Sequence, residues 1–311
     1  MEMISVVSPV YGCAVCLEDL ADRVAAAIPD GHRFELILVD DASPDGAWDR
    51  IVELSRSRPW LVGLRLSRNF GQHAAISAGI RRARGDWTVV MDCDLQDVPE
   101  EIPRLWAAAA SQGLDVVFAQ RVVRKDGLSK RLGSAAFFAL LSWLTGVKQD
   151  ASTANYGIYR RAVIDAINEM PERDRSFPLM VKWAGFKSGA IPVNHAERVH
   201  GRSSYSLARL IRLATVIVLS YSDKPLRLVA ATGLAFALVA SLMVTFSIWR
   251  WLAGDIAVAG FTSLMASIWL VGGAVMFSLG VVGLYVGQVF KNVQGRPNHI
   301  VSMTTPSSKE G

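Results

Sequence analysis

Cysteine is scarce in this sequence, and the cysteines that occur lack the partners of a metal site. Three are present among 311 residues, at positions 13, 16 and 93. Cys13 and Cys16 have the spacing of a redox motif or of half a zinc site, but no second Cys/His pair stands at a suitable distance to complete a zinc site. We therefore expect ordinary reduced thiols, as is usual in a cytoplasmic domain.

Charge is absent from two long stretches near the C-terminus. Leu228–Trp249 and Ile256–Phe290 contain no aspartate, glutamate, lysine or arginine. Each stretch exceeds the roughly 20 apolar residues that cross a bilayer, so we predict two transmembrane helices, over 226–250 and 260–288. A buried helical hairpin is the alternative, but soluble helices rarely stay uncharged on every side for this length.

A secretory signal is also missing, because residues 1–10 have the pattern of a strand rather than a basic segment followed by an apolar one. Lysine and arginine flank the two predicted spans, whereas the connector 251–260 contains neither. By the positive-inside rule, both termini and the domain before the first span should face the cytoplasm. The expected location is therefore the cytoplasmic (inner) membrane, with a multi-pass topology.

The sequence lacks a basic stripe interleaved with aromatic residues, so we expect no nucleic-acid partner. The net charge of +5 instead suits docking against anionic membrane lipid. Residues 201–225 combine an apolar side with Arg209 and Arg212, a pattern that predicts an interfacial amphipathic helix. Gly283 and Gly287 form a helix-contact pattern in the second predicted span, which favours a homo-oligomer.

The N-terminal half alternates short apolar runs with segments of helical periodicity. This alternation predicts an α/β fold with a mostly parallel sheet and helices on both faces. The strands are expected at residues 4–9, 34–39, 61–66, 87–91 and 114–119. Ser43 followed by Pro44 predicts the N-cap and the first residue of a helix. The polar tail after Asn298 is expected to be disordered.

Polar clusters follow three of the predicted strands, at 9–11, 40–45 and 92–97. Because ligands bind outside the carboxyl ends of such sheets, we expect these clusters to converge at one edge. In the second cluster, Asp41 can accept a hydrogen bond from a nucleobase N–H group, and a capping turn is the alternative.

The third cluster crowds three carboxylates, Asp92, Asp94 and Asp97, into six residues. Carboxylates this close repel each other unless a cation or a hydrogen-bond network compensates. Mg²⁺ or Mn²⁺ is the natural cation, because both take carboxylate oxygens and leave positions for substrate phosphates. If the strand continues, the spacing of two places Asp92 and Asp94 on the same side. A solvated acidic turn is the alternative.

Taken in order, these motifs resemble those of the family 2 glycosyltransferases with the GT-A fold. Within that family the sequence is similar to the polyprenyl-phosphate group, which includes dolichol-phosphate mannose synthases and bacterial undecaprenyl-phosphate sugar transferases. The resemblance covers nearly the whole chain. The matching segments lie at residues 7–11, 39–45, 68–72, 74–79, 85–86, 91–96 and 198–205, with two carboxy-terminal spans.

The resemblance implies a GT-A glycosyltransferase domain over residues 1–200, an interfacial helix over 201–225, a transmembrane hairpin over 226–290 and a cytoplasmic tail over 291–311. It also implies a binding site for a nucleotide-sugar donor. The nucleoside would contact Pro9, Tyr11, Val39 and Asp41. The diphosphate would be held through the metal by Asp92, Cys93 and Asp94, with Gln96 as a further metal ligand.

The resemblance assigns arginines to the phosphates. Arg121, Arg131 and Arg198 would contact the donor or the lipid phosphate, and the planar guanidinium suits this task because it binds phosphate bidentately. A surface or headgroup contact is the alternative for each of them. The catalytic set would be Asp94, Arg121 and Arg198.

Three departures from the family pattern stand out. Gly12 and Cys13 occupy the place of an Asn-Glu pair. The family's Gly-x-Ser-Lys becomes Gly201-Arg-Ser203-Ser204, which lacks the lysine, and Arg202 is its candidate substitute. Asn155 occupies the place of an aspartate that precedes an aromatic residue. A lipid phosphate is already largely a dianion at neutral pH, whereas a sugar hydroxyl needs a general base. Losing a candidate base at Asn155 therefore favours a phosphate acceptor.

The expected activity is metal-dependent, inverting transfer of a sugar from a nucleotide sugar to polyprenyl (undecaprenyl) phosphate at the cytoplasmic membrane face. The expected donor is a UDP-hexose. One alternative is transfer to a sugar hydroxyl in polysaccharide synthesis, but processive members carry a Gln-x-x-Arg-Trp signature that Met180-Val-Lys-Trp183 does not match. The other is a non-catalytic membrane subunit that binds nucleotide sugars.

Overall fold

The fold of the protein was analysed in a computed structural model. The structure describes residues 1–121, 153–170, 176–194, 222, 224–252 and 261–306. These residues fall into two compact units. The first unit contains the sheet and its helices together with residues 296–306, and the second contains two long helices.

The first unit has eight described strands and six described α-helices. The strands are β1 (Met3–Val10), β2 (Arg33–Asp40), β3 (Leu61–Leu66), β4 (Trp87–Val90), β5 (Val116–Arg121), β6 (Thr153–Arg160), β7 (Ser188–Val193) and β8 (Val301–Thr304). The helices are α1 (Leu17–Ala27), α2 (Ala47–Ser57), α3 (Gln72–Arg82), α4 (Ile102–Gln112), α5 (Arg161–Glu169) and α6 (Phe177–Ala184).

The strands form one sheet in the order β7-β5-β6-β4-β1-β2-β3-β8. Strand β1 pairs in parallel with both β2 and β4, and β3 pairs in parallel with β2. The predicted α/β fold with a mostly parallel sheet is confirmed. The antiparallel strand β6, which lies between β4 and β5, was not predicted.

The central strands are buried on both faces, and one charged side chain among them has specific partners. Glu35 of β2 is 7% exposed, and its Oε1 accepts a hydrogen bond from Ser5 Oγ at 2.6 Å. The amide of Arg84 donates to the same oxygen at 2.7 Å. These bonds compensate for the burial of the carboxylate. The amide of Gly85 donates to Ser5 Oγ, and a Cβ at Gly85 would lie 2.6 Å from the nitrogen of Ser5.

The C-terminal tail returns to the sheet, so the prediction of a disordered tail is wrong for residues 301–306. Strand β8 pairs antiparallel with β3. Thr305 is 3% exposed, and its Oγ1 accepts the amide of Gly63 at 2.8 Å. A Cβ at Gly63 would lie 2.9 Å from Thr305 Cγ2, so the close approach depends on glycine. The short strand was missed because its partner lies more than 230 residues away.

The second unit contains α7 (Lys224–Leu252) and α8 (Phe261–Val293), which have 29 and 33 residues. Their bounds enclose most of the two predicted spans. Within the described residues, one segment is long and apolar enough to cross a membrane: Leu270–Phe290, with a mean hydropathy of 1.9. The span over 226–250 stays a prediction. Apart from residues 222, 224 and 225, the predicted interfacial helix lies outside the described residues.

Candidate active site

A cavity of about 490 Å³ opens where β1, β2 and β4 end. Because these strands are parallel neighbours, their carboxyl ends lie together, and the predicted convergence of the three polar clusters is confirmed. The loop before α3 completes the wall. The lining residues are Pro9, Val10, Tyr11, Gly12, Cys13, Val15, Cys16, Asp41, Asn69, Gly71, Gln72, Asp92, Cys93 and Asp94.

The loop after β1 is fixed by side chains of the loop after β2. The amide of Gly12 donates to Ser43 Oγ at 2.8 Å, and the amide of Ala14 donates to Asp45 Oδ2 at 2.8 Å. Burial would raise the pKa of Asp45, but hydrogen bonds from Ser43 and the Ala14 amide outweigh it and hold that pKa below its ordinary value. The two loops therefore form one braced wall of the cavity.

This bracing corrects the predicted N-cap at Ser43. Helix α2 begins at Ala47, and its N-cap residue is Gly46, which has a φ of 80°. The Ser43 hydroxyl donates to Asp45 Oδ1 and accepts the Gly12 amide, so it is not used to cap the helix. The positive φ of Gly46 ends the turn before the helix starts, a conformation that glycine adopts without a Cβ clash.

Asp41 ties the loop before α3 to the same wall. Its Oδ1 accepts the amide of Phe70 at 2.7 Å, and its Oδ2 accepts the amide of Gly71 at 2.9 Å. The side chain is 3% exposed. Burial raises its pKa, although the two amide bonds and the charge of Arg68 oppose the shift. Asp41 thus lines the cavity while both of its oxygens already hold the backbone of a neighbouring loop.

The segment with Asp92 and Asp94 leaves the strand earlier than expected. Strand β4 ends at Val90, and Leu95 has a φ of 62°, a left-handed conformation that is uncommon outside glycine. Strand alternation is therefore the wrong reason for the two aspartates to share a side. They do share the cavity, because the turn after β4 brings both to its wall.

Gln72 orients one of these aspartates. Its Nε2 donates to Asp92 Oδ1 at 2.6 Å from the first residue of α3. The backbone amide of Asp92 donates to Asp97 Oδ2 at 3.0 Å, and Asp97 is 2% exposed. Gln72 lies in the matching segment 68–72, but no role was predicted for it. The signal that could have identified Gln72 is its place at the start of α3, directly after a loop that lines the cavity.

The cysteines differ from the prediction of reduced thiols. Cys13 and Cys93 form a disulfide across 80 residues of sequence, with their Cα atoms 6.5 Å apart. Cys16 is a free thiol and is buried. Burial, followed by the charge of Asp94, raises its pKa. The prediction is therefore wrong for two of the three cysteines, because the fold brings together residues that are far apart in sequence.

Several predicted site residues lie elsewhere. Among the described residues that line the cavity, neither Val39 nor Gln96 is found. The Val39 side chain is fully buried in the core, so only its backbone is left for a ligand. The backbone amide of Gln96 donates a hydrogen bond to Asp94 Oδ1 at 3.2 Å. The backbone of Arg121 ends β5. The predicted phosphate contacts Arg131, Arg198 and Arg202 lie outside the described residues.

The described residues contain no group of three or more histidine, cysteine, aspartate or glutamate side chains that could hold a metal ion. Three carboxylates nevertheless border the cavity, and because both oxygens of Asp41 already accept backbone amides, Asp92 and Asp94 are the candidate metal ligands. This donor set fits a hard cation such as Mg²⁺, which binds through one or two carboxylates and completes its shell with water and substrate phosphates.

The family described as Glycosyl transferase family 2 matches residues 5–165, more than half of the chain. An undecaprenyl-phosphate 4-deoxy-4-formamido-L-arabinose transferase from Aeromonas hydrophila subsp. hydrophila is 37% identical, over 100% of this chain and 98% of the relative. A transferase of the same description from Pseudomonas savastanoi pv. phaseolicola is 35% identical, over 100% of this chain and 93% of the relative.

Solved structures agree on the fold. A glucosyl-3-phosphoglycerate synthase from Mycobacterium tuberculosis, solved with Mn²⁺, UDP and phosphoglyceric acid, superposes with a TM-score of 0.51. It is 17% identical, and the match covers 70% of this chain and 77% of that chain. At this level of identity, the likeness shows a shared fold alone.

Proposed function

Because the chain belongs to the family 2 glycosyltransferases, within their polyprenyl-phosphate group, we propose that it moves a sugar from a nucleotide sugar onto undecaprenyl phosphate. The observation that carries this proposal is the cavity at the ends of β1, β2 and β4, where Asp41, Asp92 and Asp94 meet. Its volume of about 490 Å³ lies within the range of small-molecule sites. The full-length similarity to two undecaprenyl-phosphate transferases supports the acceptor.

The first sugar to test is 4-deoxy-4-formamido-L-arabinose, because it is the sugar named for both relatives. This choice replaces the hexose that the sequence alone suggested, and UDP-glucose becomes the competing donor. We keep UDP as the carrier, with the nucleoside held between Tyr11 and the wall that Asp41 braces. Tyr11 suits this place because it lines the cavity and is 55% exposed, which leaves its ring free to stack.

We assign a divalent cation, Mg²⁺ or Mn²⁺, to Asp92 and Asp94. When bound, the cation supplies positive charge that stabilises the departing nucleoside diphosphate. Gln72 holds one oxygen of Asp92 in place, and the Asp97 carboxylate holds its backbone amide. These contacts fix the carboxylate before the donor arrives, which is the condition for electrostatic preorganisation.

The acceptor chemistry needs little help from a base. A phosphate monoester with a second pKa of about 6 is largely dianionic at neutral pH, so it can attack the anomeric carbon directly. In-line attack inverts that centre. Asn155 lies in β6, at the place of a carboxylate in the family pattern, and among the described residues it does not line the cavity. A phosphate nucleophile requires no carboxylate from this position.

The return of the chain to its own sheet supports the multi-pass topology. The chain leaves the first unit, passes through α7 and α8, and rejoins that unit as β8 on β3. A segment that starts and ends on one side of a membrane crosses it an even number of times. At 1.5 Å per residue, the helices of 29 and 33 residues are about 44 and 50 Å long, and either exceeds a hydrocarbon core of about 30 Å. The basic flanks favour the cytoplasmic face.

We also retain a homo-oligomer in the proposal. Gly283 and Gly287 are exposed on α8, and a Cβ at either position would meet nothing within 4 Å. Small residues at this spacing let helices approach closely in a bilayer. Replacing both glycines with leucine should lower the mass of the detergent-solubilised particle, as measured by light scattering. An unchanged mass would contradict this interface.

The proposed function is tested with the purified full-length protein. A panel of UDP- and GDP-linked sugars, including UDP-4-deoxy-4-formamido-L-arabinose and UDP-glucose, is offered together with undecaprenyl phosphate and Mn²⁺. The proposal expects a glycosylated lipid phosphate, identified by mass spectrometry, with the formamido sugar preferred. Binding of a nucleotide sugar without any lipid product would contradict it and would favour a non-catalytic binding subunit.

A further inference from the structure

The disulfide between Cys13 and Cys93 joins the two parts of the cavity that the proposed function uses most. Cys13 lies between Gly12 and Ala14, whose amides bond to the loop after β2. Cys93 lies between Asp92 and Asp94, the two carboxylates assigned to the cation. Both cysteines line the cavity. The cross-link therefore ties the metal-binding segment to the braced wall.

We propose that Cys13 and Cys93 form a reversible thiol-modification site, oxidised by small peroxides, whose oxidation state sets the affinity for the nucleotide-sugar donor. The proposal rests on the proposed function for the identity of that donor. It assigns Cys13 a task at a position where the family pattern has a different residue.

The fold brings these two cysteines together without needing their bond. Strand β1 pairs with β4 from Ile4↔Trp87 to Val7↔Val90, and the amide of Met91 donates to the carbonyl oxygen of Val7 at 3.1 Å. The loops that follow both strands are thus adjacent through the sheet ladder alone. The cross-link therefore adds a constraint to a cavity whose walls are already in place.

The proposed cytoplasmic location makes a permanent structural disulfide unusual. Reducing systems keep cytoplasmic thiols reduced, and the disulfides found there are usually transient and catalytic or redox-sensing. A pair that borders a cavity is also within reach of a small oxidant. Reversible oxidation is thus the reading that agrees with both the compartment and the position of the pair.

The oxidation is balanced with a hydroperoxide as the co-reactant. One thiolate attacks a peroxide oxygen, the O–O bond breaks, and the sulfur becomes a sulfenic acid while, for hydrogen peroxide, water leaves. The second cysteine then attacks the sulfenic sulfur, forming the S–S bond and releasing a second water. Two thiols and one hydrogen peroxide thus give one disulfide and two waters. A dithiol restores the two thiols by thiol–disulfide exchange and is itself oxidised to a disulfide.

The cross-linked state should be the tighter binder. The cavity is open with the disulfide in place, so oxidation does not block it. Reduction removes this covalent constraint, while the hydrogen bonds that Asp92 makes with Gln72 and Asp97 remain. Donor binding must then restrict the remaining motion of the segment, which lowers the affinity by about three- to tenfold.

Cys16 provides the matched control. It lines the same cavity and is buried, but it is a free thiol. The variant Cys16→Ala should keep the response to oxidation, whereas Cys13→Ala and Cys93→Ala should each lose it. If Cys16→Ala alone lost the response and the other two variants kept it, the effect would belong to Cys16 and the proposal would be overturned.

The experiment compares peroxide-treated and dithiothreitol-treated full-length protein. Disulfide content is measured by mass spectrometry, affinity for UDP with Mn²⁺ by calorimetry, and the unfolding midpoint by scanning fluorimetry. The proposal expects a disulfide between Cys13 and Cys93, with tighter UDP binding and a higher midpoint in the oxidised form. No disulfide after treatment, or equal affinities in the two forms, would overturn it.

Failure of the proposed function gives a different pattern. If UDP binds to neither form, the nucleotide-sugar function fails, and the modification site is judged on the unfolding midpoint. A midpoint that rises on oxidation in the wild type and in Cys16→Ala, but not in Cys13→Ala or Cys93→Ala, then supports the site. If oxidation changes the unfolding midpoint equally in the wild type, Cys13→Ala and Cys93→Ala, the site is overturned.

Discussion

Two acidic loops border the same cavity, and they use their carboxylates differently. In the loop after β2, Asp41 and Asp45 accept backbone amides from neighbouring loops, so their oxygens hold the wall together. In the loop after β4, Asp92 and Asp94 line the cavity, and the contact from Gln72 orients one of them. The two loops look alike in sequence because each contains three aspartates within six residues. Hydrogen bonds show that the first loop braces the wall, and the proposed function assigns ligand binding to the second.

The largest expected effect separates binding from bracing at Asp94. The variant Asp94→Asn should lower the transfer rate by about 10²–10³-fold, the usual cost of removing one group that stabilises developing charge. Its unfolding midpoint should stay close to that of the wild type. Asp49→Asn is the matched control, because Asp49 is exposed on α2 and does not line the cavity. A marked fall in the Asp94→Asn midpoint would mean that this loop also braces.

Asp41 should show the opposite pattern. The variant Asp41→Ala leaves the partly buried amides of Phe70 and Gly71 without their acceptors. A fully buried unsatisfied group costs about 1–3 kcal/mol, and a partly buried one costs less because water can reach it, so we expect a loss of roughly 1–3 kcal/mol in the free energy of unfolding. Asp41→Asn keeps one carbonyl acceptor and should lose less. Equal stability of all three proteins in chemical denaturation would contradict the bracing role.

Gln72 tests how far the orientation of Asp92 matters. The variant Gln72→Ala removes the hydrogen bond to Asp92 Oδ1, and a bond to a charged group contributes about 1.5–3 kcal/mol. Transfer should therefore fall by about tenfold or somewhat more, with a higher Mn²⁺ concentration needed for half-maximal rate. Gln72→Glu places a like charge beside Asp92 and should be worse than alanine. Mn²⁺ dependence identical to wild type would remove Gln72 from the site.

The smallest effects concern pH, and here the two aspartates of the bracing loop have opposite signs. Burial raises the pKa of Asp41 above its ordinary value of 3.8 in the folded state. Its contribution to stability is therefore full below pH 3.8 and is lost as the pH rises through the raised pKa. The pKa of Asp45 is lowered, so its contribution is present above 3.8 and lost as pH falls. Unfolding midpoints of Asp41→Asn and Asp45→Asn, measured against wild type between pH 3 and pH 6, should diverge in opposite directions. Parallel curves would contradict these assignments.

The sequence predicted the parts of the fold that local patterns specify. The apolar runs of β1 to β5 and the polar residues at their ends are contiguous in sequence, and parallel pairing then places Asp41 near Asp92. The features that were missed depend on distant partners. The Ser43 hydroxyl is engaged by Gly12, and Cys13 bonds to a residue 80 positions away. Strand β8 has only four residues, so its pairing with β3 is what identifies it.

The central claim is that the nucleophile is a lipid phosphate that needs no strong base. It is tested most directly by offering the purified full-length protein undecaprenyl phosphate or undecaprenol, each with the same UDP-sugar and Mn²⁺, and analysing the lipid product by mass spectrometry. The account predicts a glycosyl phosphate from undecaprenyl phosphate and no product from undecaprenol. Transfer to the undecaprenol hydroxyl at a comparable rate, or no lipid product from either acceptor, would contradict it.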